Sequence, residues 1–543
     1  MKNYIKYIGI LALGMVACEP DFENPVDAND AYTSGDADFS NFVAIGNSIT
    51  SGYADNALYI TAQEASYPNI LANQFAKAGG GDFTQPLMAD NYGGLLLNGN
   101  QIEGFDTRLV LAFDAEGNAM PKNLDATPTT EVTNVLTGPF NNMGVPGMKS
   151  FHLFAEGYGN AAGVEAGQAN PYFARFASSP NATILEDAIA QNPTFFSLWI
   201  GKNDILSFAT SGGAGVVQTA TESPANYGSN DITNPMVFAG VYSQVVDDLI
   251  AAGAEEGVVN AVPDVTVAPF FTRVPYAPLS PADPDFGPMI PALNESFAGL
   301  NQIISAVRGT QEFDAEGNKI AETEYTIEFN PAGASPLVII DEALTDISMQ
   351  IKGALMQAGY PEALAEQYGV QFGQARQATA DDRVLLTSAG AIAEVNMAAV
   401  QAWMLAGLPQ EQAGQLAVTG ITFPMKDELV LTEDEVNMLN TARMAFNTSI
   451  QGIAQQKGLA YVDVNEIIQQ MATGGIPYDG GLVTAEFVTG GAFSLDGIHL
   501  TPRGSAILAN RMIDAINAKY GATVPKVNVG NYGTITVSND VAQ

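Results

Sequence analysis

Two stretches near opposite ends of the chain carry the residue types that nucleophilic hydrolysis needs. Asp496 and His499 stand three residues apart in Ser494-Leu495-Asp496-Gly497-Ile498-His499, shortly before Pro502, which can open a helix. At that spacing both side chains can face one side of a single turn, so the carboxylate can orient the imidazole as a general base. A serine hydroxyl is a poor nucleophile until such a base lies beside it. Ser48 offers the hydroxyl, in Ile45-Gly46-Asn47-Ser48-Ile49. A serine on a strand-to-helix turn is exposed, and backbone N–H groups nearby can receive an oxyanion. By itself the string also fits a strand followed by an N-capping serine. Asn203, in Gly201-Lys202-Asn203-Asp204, carries a neutral amide donor that can point at an oxyanion, although this string alone is also an ordinary turn. Asn142-Met143-Gly144-Val145-Pro146-Gly147 adds loop glycines whose N–H groups can approach a substrate closely. His152 is the only other histidine; it has no aspartate at a helpful spacing and reads as structural or pocket-lining.

The flanking pattern says what must hold these residues. Residues 42–45 and 195–200 are short apolar runs that end at Gly46 and Gly201. Residues 257–262 and 459–464 are further strand candidates, and 68–76 reads as a short helix. Phe238, Tyr242, Val245 and Leu249 repeat at helical spacing. Thr432 with Glu435 predicts a capping box, followed by a stripe of Met438, Ala442, Phe446, Ile450 and Ile453 that stops at Gly458. A last helix is predicted over about 502–520. Strands without clean alternation, separated by helices, imply an α/β protein with a parallel sheet covered on both faces. Ligands on such sheets sit at the carboxyl ends of the strands, where Gly46 and Gly201 fall.

Two stretches interrupt this scheme, about 80–135 and 306–430. Each holds the string Phe-Asp-Ala-Glu-Gly-Asn, at 113–118 and 313–318, which reads as a β-turn between short strands; the sharper reading, a calcium loop, lacks the twelve-residue ligand spacing. Ile392, Val395, Ala399 and Trp403 sit at helical spacing in the second stretch, either as the buried face of a helix or as a lid over an apolar acyl chain.

Taken in order, the four strings around Ser48, Gly147, Asn203 and Asp496–His499 resemble the blocks of the GDSL, or SGNH, hydrolase superfamily. Tyr67-Pro68 and Asn260-Ala261-Val262-Pro263 agree with it. The resemblance covers about 40–305 and 430–520. It implies a three-layer α/β/α sandwich with a flavodoxin-like parallel sheet (the SGNH hydrolase fold), here carrying a large insertion. It also implies that Ser48 is the nucleophile, His499 the base and Asp496 its partner. Ser48 N–H, Gly147 N–H and the Asn203 amide form the oxyanion hole. Asn47 replaces the family's usual Asp but keeps an oxygen for local hydrogen bonds, and Gly144 is the alternative to Gly147 as donor. The implied activity is that of a carboxylic ester hydrolase (esterase or lipase) working through an acyl-enzyme, with no metal and no organic cofactor. The alternatives are a polysaccharide O-deacetylase with the same site and a non-catalytic surface-binding lipoprotein. The substrate is then a small-molecule or glycan ester.

Composition sets the outer bounds. The chain has 543 residues, 47% of them hydrophobic, and its 59 acidic against 21 basic residues give a net charge of −38. Such a surface repels phosphate backbones, which argues against nucleic acid as a partner. Lys2 and Lys6 precede an apolar run at 7–16, too short to span a bilayer. Met15-Val16-Ala17-Cys18 resembles the lipobox of bacterial lipoproteins, with a plain cleaved signal peptide as the other reading. The expected organisation is a signal peptide (1–17), a tether (18–39) lipidated at Cys18 and a discontinuous catalytic domain (40–305 and 431–525). An insertion (306–430) and a tail (526–543) complete it. Cys18 is the only cysteine, so no internal disulfide forms, and the expected location is the bacterial outer membrane, on its periplasmic or surface side.

Overall fold

The computed structural model describes residues 32–113, 117, 119–219, 223–308 and 326–537. The signal segment, Cys18 and the whole of the 313–318 string lie outside them.

Five parallel strands form the central sheet: β1 (Phe42–Gly46), β2 (Asn142–Gly144), β3 (Phe195–Trp199), β4 (Glu256–Asn260) and β5 (Ala460–Val462). Their spatial order is 2-1-3-4-5, with Phe42 opposite Phe195 and Ala44 opposite Asn142. The order reverses between β1 and β3, which creates a crevice at the carboxyl ends of those strands. Every residue of β1 and β3 is buried, as a sheet covered on both faces requires. The sequence reading treats 142–147 as loop, but 142–144 is a strand. Three residues with a polar start carry no period of their own, and β1 supplies the pairing.

Helices flank this sheet and explain its largely buried strands. They are α1 (Ser48–Ser51), α2 (Tyr67–Phe75), α3 (Asn203–Thr210), α4 (Pro235–Ala251), α5 (Glu433–Lys457) and α6 (Pro502–Tyr520). On one face Phe75 of α2 and Tyr520 of α6 meet Phe195 edge-on, and Tyr67 meets Trp199. Elsewhere α4 and α5 pack on each other, with Phe238 stacked on Phe446 at 4.1 Å. The ends of α5 and α6 follow local chemistry. Glu435 closes the capping box on Thr432, Thr501 Oγ1 accepts from Gly504 N–H at 3.0 Å, and Gly458 and Gly521 end the two helices in left-handed conformations. The expected stripe of α5 needs one change. Met438 is 46% exposed, and Val436 and Leu439 take the buried places.

Several expected boundaries move. Residues 32–39 are packed rather than a free tether: Phe39 is buried and stacks on Phe75 at 4.0 Å. The C-terminal segment is also anchored as far as 537, with Val529 buried in the main core and Leu111 bridged to Val537. The insertion has its own core, which begins before 306. Leu279, Phe286 and one stripe of the helix Ile290–Arg308 (Ile290, Leu293, Phe297, Leu300 and Ile304) are buried in it, and it ends at Val430, while Leu431 belongs to the main core. Apolar residues on that helix satisfy either core by pattern, and only the packing separates them. The helix read at 392–403 begins at Met397, capped by Asn396 Oδ1 on Ala399 N–H at 3.0 Å. Ile392 and Val395 precede it, and Val395 pairs with Val418 instead. Strands 109–113 and 119–123 flank the first acidic hexapeptide as an antiparallel pair. Among the described residues no helix is long and apolar enough to cross a membrane.

Candidate active site

The carboxyl end of β1 delivers Ser48, and the loop before α6 delivers Asp496 and His499. Ser48 is the first residue of α1, directly beyond the sheet. His499 Nε2 lies 2.8 Å from Ser48 Oγ, and His499 Nδ1 lies 2.9 Å from Asp496 Oδ2. The chain therefore closes a line of serine, imidazole and carboxylate across 451 residues of sequence. The ionised carboxylate fixes the proton on Nδ1, which leaves Nε2 free to accept from the hydroxyl.

Asp496 is enclosed by donors. Its Oδ1 accepts the Ile498 and His499 N–H groups, each at 2.8 Å, and its Oδ2 accepts the Asn56 N–H at 2.9 Å. Burial works against its charge, but the adjacent imidazole and these hydrogen bonds outweigh it and hold the carboxyl well below the usual range. For His499 the balance goes the other way. Burial lowers its proton affinity, Asp496 opposes this, and the Lys202 ammonium adds to the lowering. The imidazole is neutral at neutral pH, the state a general base needs.

Gly144 and Gly147 are separated by their surroundings. Gly144 N–H is spent on Asn142 Oδ1 at 3.0 Å, and a Cβ there would lie 2.3 Å from Ser51 N. It is the residue that lets α1 approach β2, not a donor to substrate. The next loop is tied at both ends: Val145 N–H donates to Gly46 O at 2.9 Å, and Asn203 Nδ2 donates to Met148 O at 3.0 Å. Between these ties Gly147 has φ +78°, and its N–H has no acceptor among the described residues. Asn203 keeps a second amide hydrogen unspent in the same sense. Gly147 also borders a cleft of about 610 Å³ lined by Phe151, His152, Phe154, Tyr227 and Val241. His152 stacks on Tyr158 at 4.4 Å and accepts the Lys149 N–H through Nδ1. Burial and Lys149 push it down to about 4, so it stays neutral without a carboxylate behind it.

Asn47 departs from expectation. Its side chain makes no capping bond, and its Nδ2 is buried without a partner among the described residues.

Two groups escaped the sequence reading. Ala54 and Ala57 exchange backbone hydrogen bonds at 3.0 Å around Asp55 and Asn56, both with positive φ (52° and 60°). Asp and Asn tolerate this better than other non-glycine residues. The turn presents Asn56 N–H to Asp496 and Asp55 Oδ1 to Leu495 N–H at 2.9 Å, while Asp55 N–H reaches Ser494 Oγ at 2.9 Å. Burial raises Asp55 to about 6. An Asp-Asn pair just after the serine helix is a legible turn signal, but its partner lies about 440 residues away. The second group, Lys202, sits in the Asn203 string itself, where a buried lysine has no sequence signature. Compared with protein-family models, curated proteins and solved structures, the chain matches none.

Proposed function

We propose that this protein is a serine ester hydrolase of the GDSL/SGNH type, with the sheet order and flanking helices of a flavodoxin-like α/β/α sandwich. The single observation that carries this reading is the hydrogen-bonded line from Ser48 Oγ through His499 to Asp496. Ser48 Oγ attacks an ester carbonyl as His499 Nε2 takes its proton, and the C–O bond to the alcohol then breaks as the imidazolium returns that proton to the leaving oxygen. Water, activated by the same imidazole, attacks the acyl-enzyme and releases the acid and Ser48. Asp496 holds the ring and stabilises its cation throughout. Ser48 N–H, Gly147 N–H and the free Asn203 amide hydrogen receive the oxyanion, and the cleft beside Gly147 takes the bulkier part of the ester. Cys18 serves as the lipid anchor in the bacterial envelope.

The test is labelling of the purified protein by a fluorophosphonate, together with turnover of chromogenic esters of graded acyl length and of acetylated glycans. Phosphonylation at Ser48 with turnover is expected, and the preferred series separates lipase from deacetylase. No labelling and no turnover on any ester would instead favour a binding protein. Asn203→Ala is expected to lower kcat about 10²–10³-fold, equivalent to about 3–4 kcal/mol of barrier, with little change in KM. An unchanged kcat would remove Asn203 from the oxyanion hole.

A further inference from the structure

Lys202 follows Gly201 at the start of α3, and it is only 4% exposed. Lysine is among the residues least often buried, and an unpaired buried ammonium is costly. Among the described residues its Nζ forms no ion pair within 4 Å; its one acceptor is the carbonyl of Ile498, at 3.4 Å. Ile498 immediately precedes His499. The lysine stem shares a small cavity with Trp199, Val265, Ile498 and Leu500. Asp264 also lines that cavity, but its Oδ1 is spent on Thr266 N–H and Oγ1. Asp496 is the charge that attracts Lys202, and Lys202 in turn opposes the cation of His499. From the facing turn, Tyr53 lies against the His499 ring at 4.7 Å and the buried Asp55 accepts the Leu495 N–H.

Resting on the triad reading, we propose that Lys202 is a positioning residue of the active site: its buried ammonium ties down the Ile498 carbonyl and, balancing Asp496, keeps His499 unprotonated. The argument is one of buried charge. With the ammonium present, carboxylate and lysine sum to zero around a neutral imidazole, and protonating His499 would leave one uncompensated positive charge. Without it, a protonated His499 would pair with Asp496 and neutralise the pocket, so the base would be captured by a proton at higher pH. Burial pushes Lys202 itself down to about 8, against the pull of Asp496, so the charge is in place at neutral pH.

The chain has only two histidines, so a protein labelled with ¹³C at histidine Cε1 reports His499 directly, with His152→Gln assigning the other signal. In full-length Lys202→Met, the His499 titration midpoint should rise by about one pH unit, roughly tenfold in proton affinity, and the acid limb of kcat/KM should move with it. Lys202→Arg should restore both toward wild type. A folded Lys202→Met protein whose His499 midpoint and acid limb stay at wild-type values overturns the proposal. If that variant does not fold, the wild type decides: its His499 signal should show a further step on the alkaline side, as Lys202 loses its proton, and a response that stays flat through the whole alkaline range in which the protein is folded overturns the proposal equally. The titration needs no turnover. A shifted midpoint in a protein that phosphonate fails to label would count against the hydrolase reading while leaving the Lys202–His499 coupling in place.

Discussion

Ser48→Ala is expected to lose at least about 10⁴-fold in kcat on any ester the wild type turns over, and to lose phosphonate labelling completely. That factor is about 5–6 kcal/mol of barrier, far beyond what a positioning change supplies. The fold should survive the change. Ser48 Oγ has one hydrogen-bonded partner among the described residues, His499 Nε2, and alanine suits the first turn of α1. Thermal unfolding within a few degrees of wild type, together with the lost turnover, would separate chemistry from stability. His499→Gln should cost about as much, and the double variant little more, because the two residues act as a unit. Appreciable turnover by Ser48→Ala would mean that another nucleophile works in this protein.

Asp496→Asn carries the second large effect, a fall in kcat of about 10⁴-fold with KM nearly unchanged. The reason lies in the donors around the carboxylate. Both oxygens accept: Oδ1 from the Ile498 and His499 N–H groups, Oδ2 from Asn56 N–H and the imidazole Nδ1. An amide placed there faces two donors with its own NH₂ group in either orientation. With Nδ2 toward the ring, it donates to Nδ1, forces the proton onto Nε2 and removes the acceptor that Ser48 needs. With Nδ2 toward the Ile498 and His499 N–H groups, it leaves buried donors opposed, at a cost of about 1–3 kcal/mol in stability. The pH dependence follows the same charge. Asp496 titrates below its unfolded range, so its contribution to stability is complete above the unfolded carboxylate value and is lost as pH falls through the folded one. In the asparagine variant that acid-side loss should shrink. A variant within tenfold of wild-type kcat would remove Asp496 from the triad.

The residues of the Ser48–His499–Asp496 line were legible in the sequence because such residues are rare here: two histidines in the whole chain, one of them three residues after an aspartate. The central strands β1 and β3 were legible for a related reason. Strands buried on both faces are mostly apolar, with Ser197 the one polar residue in the pair, and a glycine stands at the end of β1 and two residues beyond β3. The bounds of α5 and α6 were written in Thr432 and Glu435, whose side chains form the capping box, in Gly458, whose left-handed backbone ends α5, and in Pro502, which has no N–H to satisfy. Such features need only neighbours within a few positions, so the order of residues determines them.

What surrounds the triad was settled elsewhere. The Asn56 N–H reaches Asp496 across 440 positions and the Lys202 ammonium reaches Ile498 across 296, contacts that no local period announces. Strand β2 exists only because β1 pairs with it, which in turn spends Gly144 on packing and leaves Gly147 as the free donor. The insertion's helix Ile290–Arg308 has an apolar stripe that suits either core, and its partners at 327–430 claim it. The proton affinities of Asp496 and His499 likewise depend on burial and on charges brought from distant segments. Local order supplied the candidate hydroxyl, imidazole and carboxylate, whereas long-range packing decided their burial, their hydrogen-bond partners and which backbone donors near them stay free.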